Sequence, residues 1–261
     1  MKHLRAESIA FLALLTLSSS AHAAPSIAGG TPVLADDPIA RTTVGLISVY
    51  PGEGEGKESY GLCTGSIIAK DFILTAAHCV EGAQKVALFF GTNMDAESTV
   101  RGAVAAEIHP GYVSSKMEND LALLQFQGDL PSGYQTIEFL PASTVLNQGD
   151  QVTIAGFGMT DLDKQEGSGL LRKVTEIVYG TNVREQNTIM FAHLPQTGAC
   201  PGDSGGPALV SSGSGYSLLG VASYIFIPGE KPCGLASVYT DLRNESMSSY
   251  IQQAMDRMRK K

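Results

Sequence analysis

After its first two dozen residues the chain has no apolar run approaching the ~20 residues that a membrane-spanning helix needs, so no span is expected in the mature protein. Its four cysteines and five histidines show no CxxC or HxxxH spacing, which removes the usual signature of structural zinc, and nothing else calls for a metal or a cofactor. Positive charge is scarce: 18 Lys and Arg stand against 26 Asp and Glu, a formal net charge of −8. Such a surface repels nucleic acid and anionic lipid, so neither is expected as a partner. Long helical patterning is sparse, and there is no low-complexity tail.

What is present is rich in turns. Twenty-nine glycines and twelve prolines in 261 residues, 43% of them hydrophobic and 17% charged, point to an all-β chain of one or two globular units built from short strands. Lys2 and Arg5 precede an apolar stretch from Ile9 to Leu17, and small residues follow through Ala23, the pattern of a secretory leader over residues 1–23. Export permits disulfides. Cys63, Cys79, Cys200 and Cys233 allow three pairings, among which spacing alone does not choose.

From Thr42 onward, runs rich in Val, Ile and Phe and bounded by Gly, Asp or Asn read as six strands: 42–49, 61–69, 72–75, 85–90, 100–109 and 121–127. A turn-rich segment, 128–149, separates them from a second six at 151–156, 170–180, 188–193, 207–210, 217–224 and 236–240. Six and six predicts two antiparallel β-barrels, over residues 27–140 and 141–244. The period then changes: Met247, Tyr250, Ile251, Ala254, Met255 and Met258 share one helical face behind the capping candidate Asn244, which predicts a C-terminal helix over 245–259.

Between two apolar runs of the second set lies Gly202-Asp203-Ser204-Gly205-Gly206-Pro207. The glycines allow positive φ angles, so this loop can turn a serine hydroxyl outward while main-chain N–H groups converge beside it, the arrangement of a nucleophile with an oxyanion hole. A serine hydroxyl needs a base to attack a carbonyl at neutral pH, and a third group to fix the tautomer of that base. Three histidines follow the leader. His78, in Thr75-Ala76-Ala77-His78-Cys79, ends an apolar strand, and Asp120, in Asn119-Asp120-Leu121-Ala122-Leu123-Leu124, immediately precedes one.

Taken together these stretches resemble the trypsin- and chymotrypsin-like serine proteases, in the family's order of His, Asp and Ser, and Ile27-Ala28-Gly29-Gly30 resembles the family's mature amino terminus. Smaller echoes are His109-Pro110-Gly111-Tyr112, Ala155-Gly156-Phe157-Gly158 and Val238-Tyr239. The resemblance implies a secreted, monomeric endopeptidase of the chymotrypsin fold that acts on polypeptides. Ser204 would be the nucleophile, His78 the general base and then acid, and Asp120 the orienting carboxylate. Ser223 would bond Asp120, and the N–H groups of Gly202 and Ser204 would form the oxyanion hole. It further implies the pairings Cys63–Cys79 and Cys200–Cys233, each stabilising by roughly 2–4 kcal/mol. Asp203 would pair with the α-amino group of Ile27 after removal of a short propeptide, 24–26. Ser26 departs from the family, which has Arg or Lys before that cut. His109 and His193 match no catalytic position and read as structural or surface residues.

The resemblance places Gly198, six residues before Ser204, at the floor of the primary specificity pocket, where a trypsin would carry an acid. Tyr224-Ile225 replaces the family's Trp-Gly at the mouth, and Ser237 replaces a glycine of the wall. A shallow, uncharged pocket for small or medium apolar residues is expected, unless Glu230 in the longer segment 224–233 supplies charge. Leu194-Pro195-Gln196-Thr197-Gly198 spells a cell-wall sorting signal, but it runs straight into Cys200 rather than into an apolar tail. The competing class is a catalytically silent binding module on the same scaffold. Retention of His78, Asp120 and Ser204 weighs against it.

Overall fold

In Lys85–Phe90 every second side chain is buried, Val86, Leu88 and Phe90 pointing inward, whereas Phe72–Thr75 is buried at every position. The computed structural model describes residues 27–260 apart from 55, 96–97, 162–163, 184–185, 195–196 and 227–232. The leader, residues 24–26 and Glu230 thus lie outside the described residues. In chain order the strands are β1 (Thr31–Pro32), β2 (Thr43–Pro51), β3 (Glu58–Ala69), β4 (Phe72–Thr75), β5 (Lys85–Phe90), β6 (Thr99–Ile108) and β7 (Ala122–Phe126). They continue with β8 (Glu138–Phe139), β9 (Gln151–Gly156), β10 (Arg172–Thr181), β11 (Thr188–Ala192), β12 (Pro207–Ser212), β13 (Gly215–Phe226) and β14 (Ala236–Asp241), and helix α1 (Glu245–Met258) ends the chain.

Strands β2, β3, β4, β7, β6 and β5 close into the first antiparallel barrel. The second runs β9, β10, β11, β14, β13 and β12, and is closed because β9 pairs with both β10 and β12. Two short strands were not anticipated: β1 adds to β10, and β8 lies parallel to β13. Two residues are too few to show a period, and Pro32 argues against a strand in any sequence reading.

Phe90 and Phe126 meet edge to face at 5.7 Å in the first barrel, and Phe191 tilts against Tyr239 at 4.9 Å in the second. Each such side chain stabilises the fold by roughly 1.5–3 kcal/mol when fully withdrawn from water. Apolar packing is continuous between the barrels, where Phe157, Leu209 and Val221 of the second half join the first core. Helix α1 starts where Asn244 Oδ1 accepts the Ser246 N–H at 2.9 Å, and it buries the six residues of the predicted face. Tyr250 donates to the Glu107 carbonyl at 3.1 Å, and Arg259 pairs with Asp71 at 2.8 Å.

Candidate active site

β4 ends at Thr75, and the chain tightens into one turn of 3-10 helix, Ala77–Cys79, which presents His78 at the crevice. Asp120, just before β7, is 0% exposed. Its Oδ1 accepts the His78 backbone N–H at 3.0 Å, its Oδ2 lies 2.7 Å from His78 Nδ1, and Ser223 Oγ donates to Oδ2 at 2.6 Å. An ionised carboxylate only accepts, so Nδ1 carries the proton and Nε2 is left with a lone pair. Thr240 reaches the Asp120 carbonyl at 3.2 Å, so strands of the second barrel hold the acid that orients a histidine of the first.

The turn is fixed from both sides. Cys63 and Cys79 are disulfide-bonded, joining β3 to it, and the Cys79 carbonyl accepts from Ser48 Oγ and from Tyr50 Oη, both at 2.6 Å. The Cys79 sulfur lies 3.8 Å from His78 Nε2 and 3.7 Å from the Ser204 carbonyl oxygen. A disulfide sulfur has no proton, so these are packing contacts. For the same reason the cluster of Cys63, His78 and Cys79 offers no thiolates to a metal.

Ser204 sits half-buried between Gly202 at φ +101° and Gly205 at φ +79°, angles that favour glycine. A Cβ on Gly202 would stand 2.7 Å from the Gly158 backbone and 2.9 Å from Leu62. The N–H groups of Asp203 and Gly205 go to the carbonyls of Cys200 and Ala222. Among the described residues those of Gly202 and Ser204 have no acceptor, and Ser204 Oγ makes no hydrogen bond. The resting hydroxyl is therefore not yet bonded to His78, as is common before substrate closes the site.

Asp203 is 1% exposed and accepts the N–H groups of Gly158 and Cys200, both at 2.8 Å. Burial pushes its carboxyl up to about 7, against the pull of those two bonds. Ile27 is fully buried in the core of the second barrel, and Ala28 bridges Gly198, which donates to the Ala28 carbonyl at 3.1 Å.

A pocket of about 280 Å³ opens beside Ser204. Ser223, Tyr224, Ile225 and Ser237 line it with Ala199, Cys200 and Tyr239, and among the described residues none that lines it is charged. Of the residues at the foot of this loop, Ala199 lines the pocket and its neighbour Gly198 is not among the lining residues. Gly198 is drawn away by its bridge to Ala28, and a Cβ there would overlap the His193 ring. Cys200 and Cys233 are bonded beside this wall. His193 is half-buried, and desolvation pushes its pKa down to about 4, with Nδ1 3.4 Å from the Gly234 carbonyl. His109 packs edge to face on Tyr250 at 4.4 Å, and its backbone N–H donates to the Leu121 carbonyl at 2.9 Å.

Two residues escaped the sequence reading. Glu176, fully buried in β10, accepts the Leu194 N–H at 3.2 Å and is pushed up to about 7 by desolvation. Its only signal was a charge within an apolar strand. Thr64 bonds across to the Ser204 loop, and nothing in Cys63-Thr64-Gly65 announces partners more than ninety residues away.

Comparison with known proteins agrees with this geometry. The family model described as Trypsin matches residues 47–245. Serine protease SP24D of Anopheles gambiae is 32% identical over 75% of this chain and 72% of its own length. Chymotrypsin-2 of Vespa crabro is 30% identical over 78% and 94%, and mast cell protease 3 of Ovis aries 29% over 95% and 96%. On the extent of that match and on two closed barrels with a C-terminal helix, the chain belongs to the trypsin family of serine proteases and is a serine-type endopeptidase.

Proposed function

We propose that this endopeptidase is exported after loss of residues 1–23, matured by removal of 24–26, and works as a monomer through an acyl-enzyme on Ser204. His78 Nε2 takes the Ser204 proton as Oγ attacks the scissile carbonyl, then gives that proton to the leaving amine. Asp120 keeps Nδ1 protonated and stabilises the imidazolium, while the N–H groups of Gly202 and Ser204 receive the oxyanion. The observation that carries this reading is the buried Asp120, held by His78 and Ser223 at the edge of the pocket that Ser204 lines. The α-amino group of a matured Ile27 supplies the cation that Asp203 lacks among the described residues.

The pocket takes small or medium apolar side chains before the scissile bond. Its lining, uncharged among the described residues, supports this, as do Ile225 and Ser237, which add side chains to it. The test is fluorophosphonate labelling of processed enzyme followed by cleavage of a peptide library. Ser204 should be labelled, and Ser204→Ala and His78→Ala should abolish labelling. An unlabelled, correctly processed enzyme would favour a binding role, and a library profile dominated by Arg and Lys would overturn the apolar preference.

A further inference from the structure

Thr64 lies in β3, one residue past the bridge to Cys79, and is 0% exposed. A buried hydroxyl without partners costs about 1–3 kcal/mol. This one is used twice, both times across the crevice. Its Oγ1 accepts the Phe157 N–H at 3.0 Å, so its own proton is free for the Gly202 carbonyl, also at 3.0 Å. The backbone N–H of Thr64 donates to the Ser204 carbonyl at 2.8 Å. A single residue of the first barrel thus holds the carbonyl of each of the two residues whose N–H groups are unclaimed.

The contact is shaped for close approach. A Cβ on Gly206 would lie 2.7 Å from the Asp203 carbonyl oxygen and 3.2 Å from Thr64 Cγ2. Thr64 is itself fixed, because its carbonyl accepts from Thr75 Oγ1 at 2.9 Å, at the end of the strand that leads to His78.

We propose that Thr64 is a positioning residue for peptide hydrolysis, holding the carbonyls of Gly202 and Ser204 and so fixing the backbone of these two residues with their own N–H groups facing the developing oxyanion. This rests on the reading of those groups as the oxyanion hole. Without the hydroxyl, the Gly202–Asp203 peptide loses one of its two anchors at a residue with little intrinsic torsional resistance, and donor alignment loosens. The loss falls on the transition state. Ground-state binding is spared, because Thr64 does not line the pocket.

The experiment compares Thr64→Val, Thr64→Ala and Thr64→Ser in processed enzyme, with kcat and KM measured separately on a peptide ester. Affinity for a peptide aldehyde, which forms a tetrahedral adduct with the serine, is measured alongside. Val and Ala should lower kcat by ~10–100-fold with KM within about twofold, and weaken the aldehyde in proportion, while Ser returns kcat to within about threefold of the parent. Unchanged kcat in Val and Ala overturns the proposal. So does a Ser variant as impaired as Val, which would make the methyl group the cause, and so does failure of both Val and Ala to fold where Ser folds, which would make the hydroxyl a stability element. Processed parent enzyme that resists fluorophosphonate at Ser204 would bring down the underlying reading, and this proposal with it.

Discussion

Asp120 and Asp203 are equally withdrawn from water and unequally supplied. Asp120 collects three donors, one of them the ring of His78, which can become a cation. Asp203 has two backbone N–H groups and, among the described residues, no cation, and its carboxyl is pushed up to about 7. Hydrogen bonds alone do not offset the desolvation of a charge. One acid has a partner that can become a cation, whereas the other has none among the described residues, and on our proposal a matured Ile27 amino group would supply it.

Exchanging each acid for its amide should separate the two most sharply. Asp120→Asn replaces an acceptor with a group that can donate, so His78 is driven to the wrong tautomer. The expected fall in kcat is ~10⁴ with little change in melting temperature, and a fall below tenfold would erase the distinction. Asp203→Asn strands the matured Ile27 amino group, a loss of about 3–5 kcal/mol. At roughly 1.4 kcal/mol per tenfold, this should appear as a loss of kcat/KM of ~10²–10⁴ in processed enzyme and no loss in a chain that retains residues before Ile27.

The pH dependence of stability sharpens the comparison next. In the unprocessed chain the folded-state pKa of Asp203 is raised from 3.8 to about 7, so its contribution is fully present below the lower value and is lost as pH rises through the upper, by up to about 4 kcal/mol. Glu176, raised from 4.5 to about 7, acts in the same direction, while His193, lowered from 6.5 to about 4, adds stability as pH rises across that interval. An ion pair with Ile27 removes the share of Asp203, so processed protein should gain on unprocessed protein between pH ~4 and ~7. Denaturant titrations that run parallel would count against the pair. The smallest effect belongs to Ser223→Ala, which takes one of three donors from Asp120 and should lower kcat/KM by roughly tenfold, about 1–2 kcal/mol. Unaltered kinetics would mean that two donors suffice.

Much of this was legible in the sequence because it is local. All twelve barrel strands follow from alternating or continuous apolar runs between turn residues, and α1 from a single face with a cap at Asn244. The loops bearing His78, Asp120 and Ser204 were legible as short strings. What stayed hidden is non-local. Thr64 is an ordinary strand threonine until a loop 138 residues later folds against it. Gly198 can be counted off from Ser204, but its bridge to Ala28 and its closeness to His193 cannot.

The glycines around Asp203 have a consequence for variation in this chain. A side chain on Gly158 would stand 2.6 Å from the Asp203 carboxyl carbon, and one on Gly156 3.0 Å from it, with backbone beyond that cannot give way. Neither residue lines the pocket beside Ser204, yet alanine at either would evict the acid from its seat. A saturation screen scored on proteolysis should therefore draw a second forbidden zone behind the reactive serine, as intolerant as the serine itself and made of residues that do no chemistry.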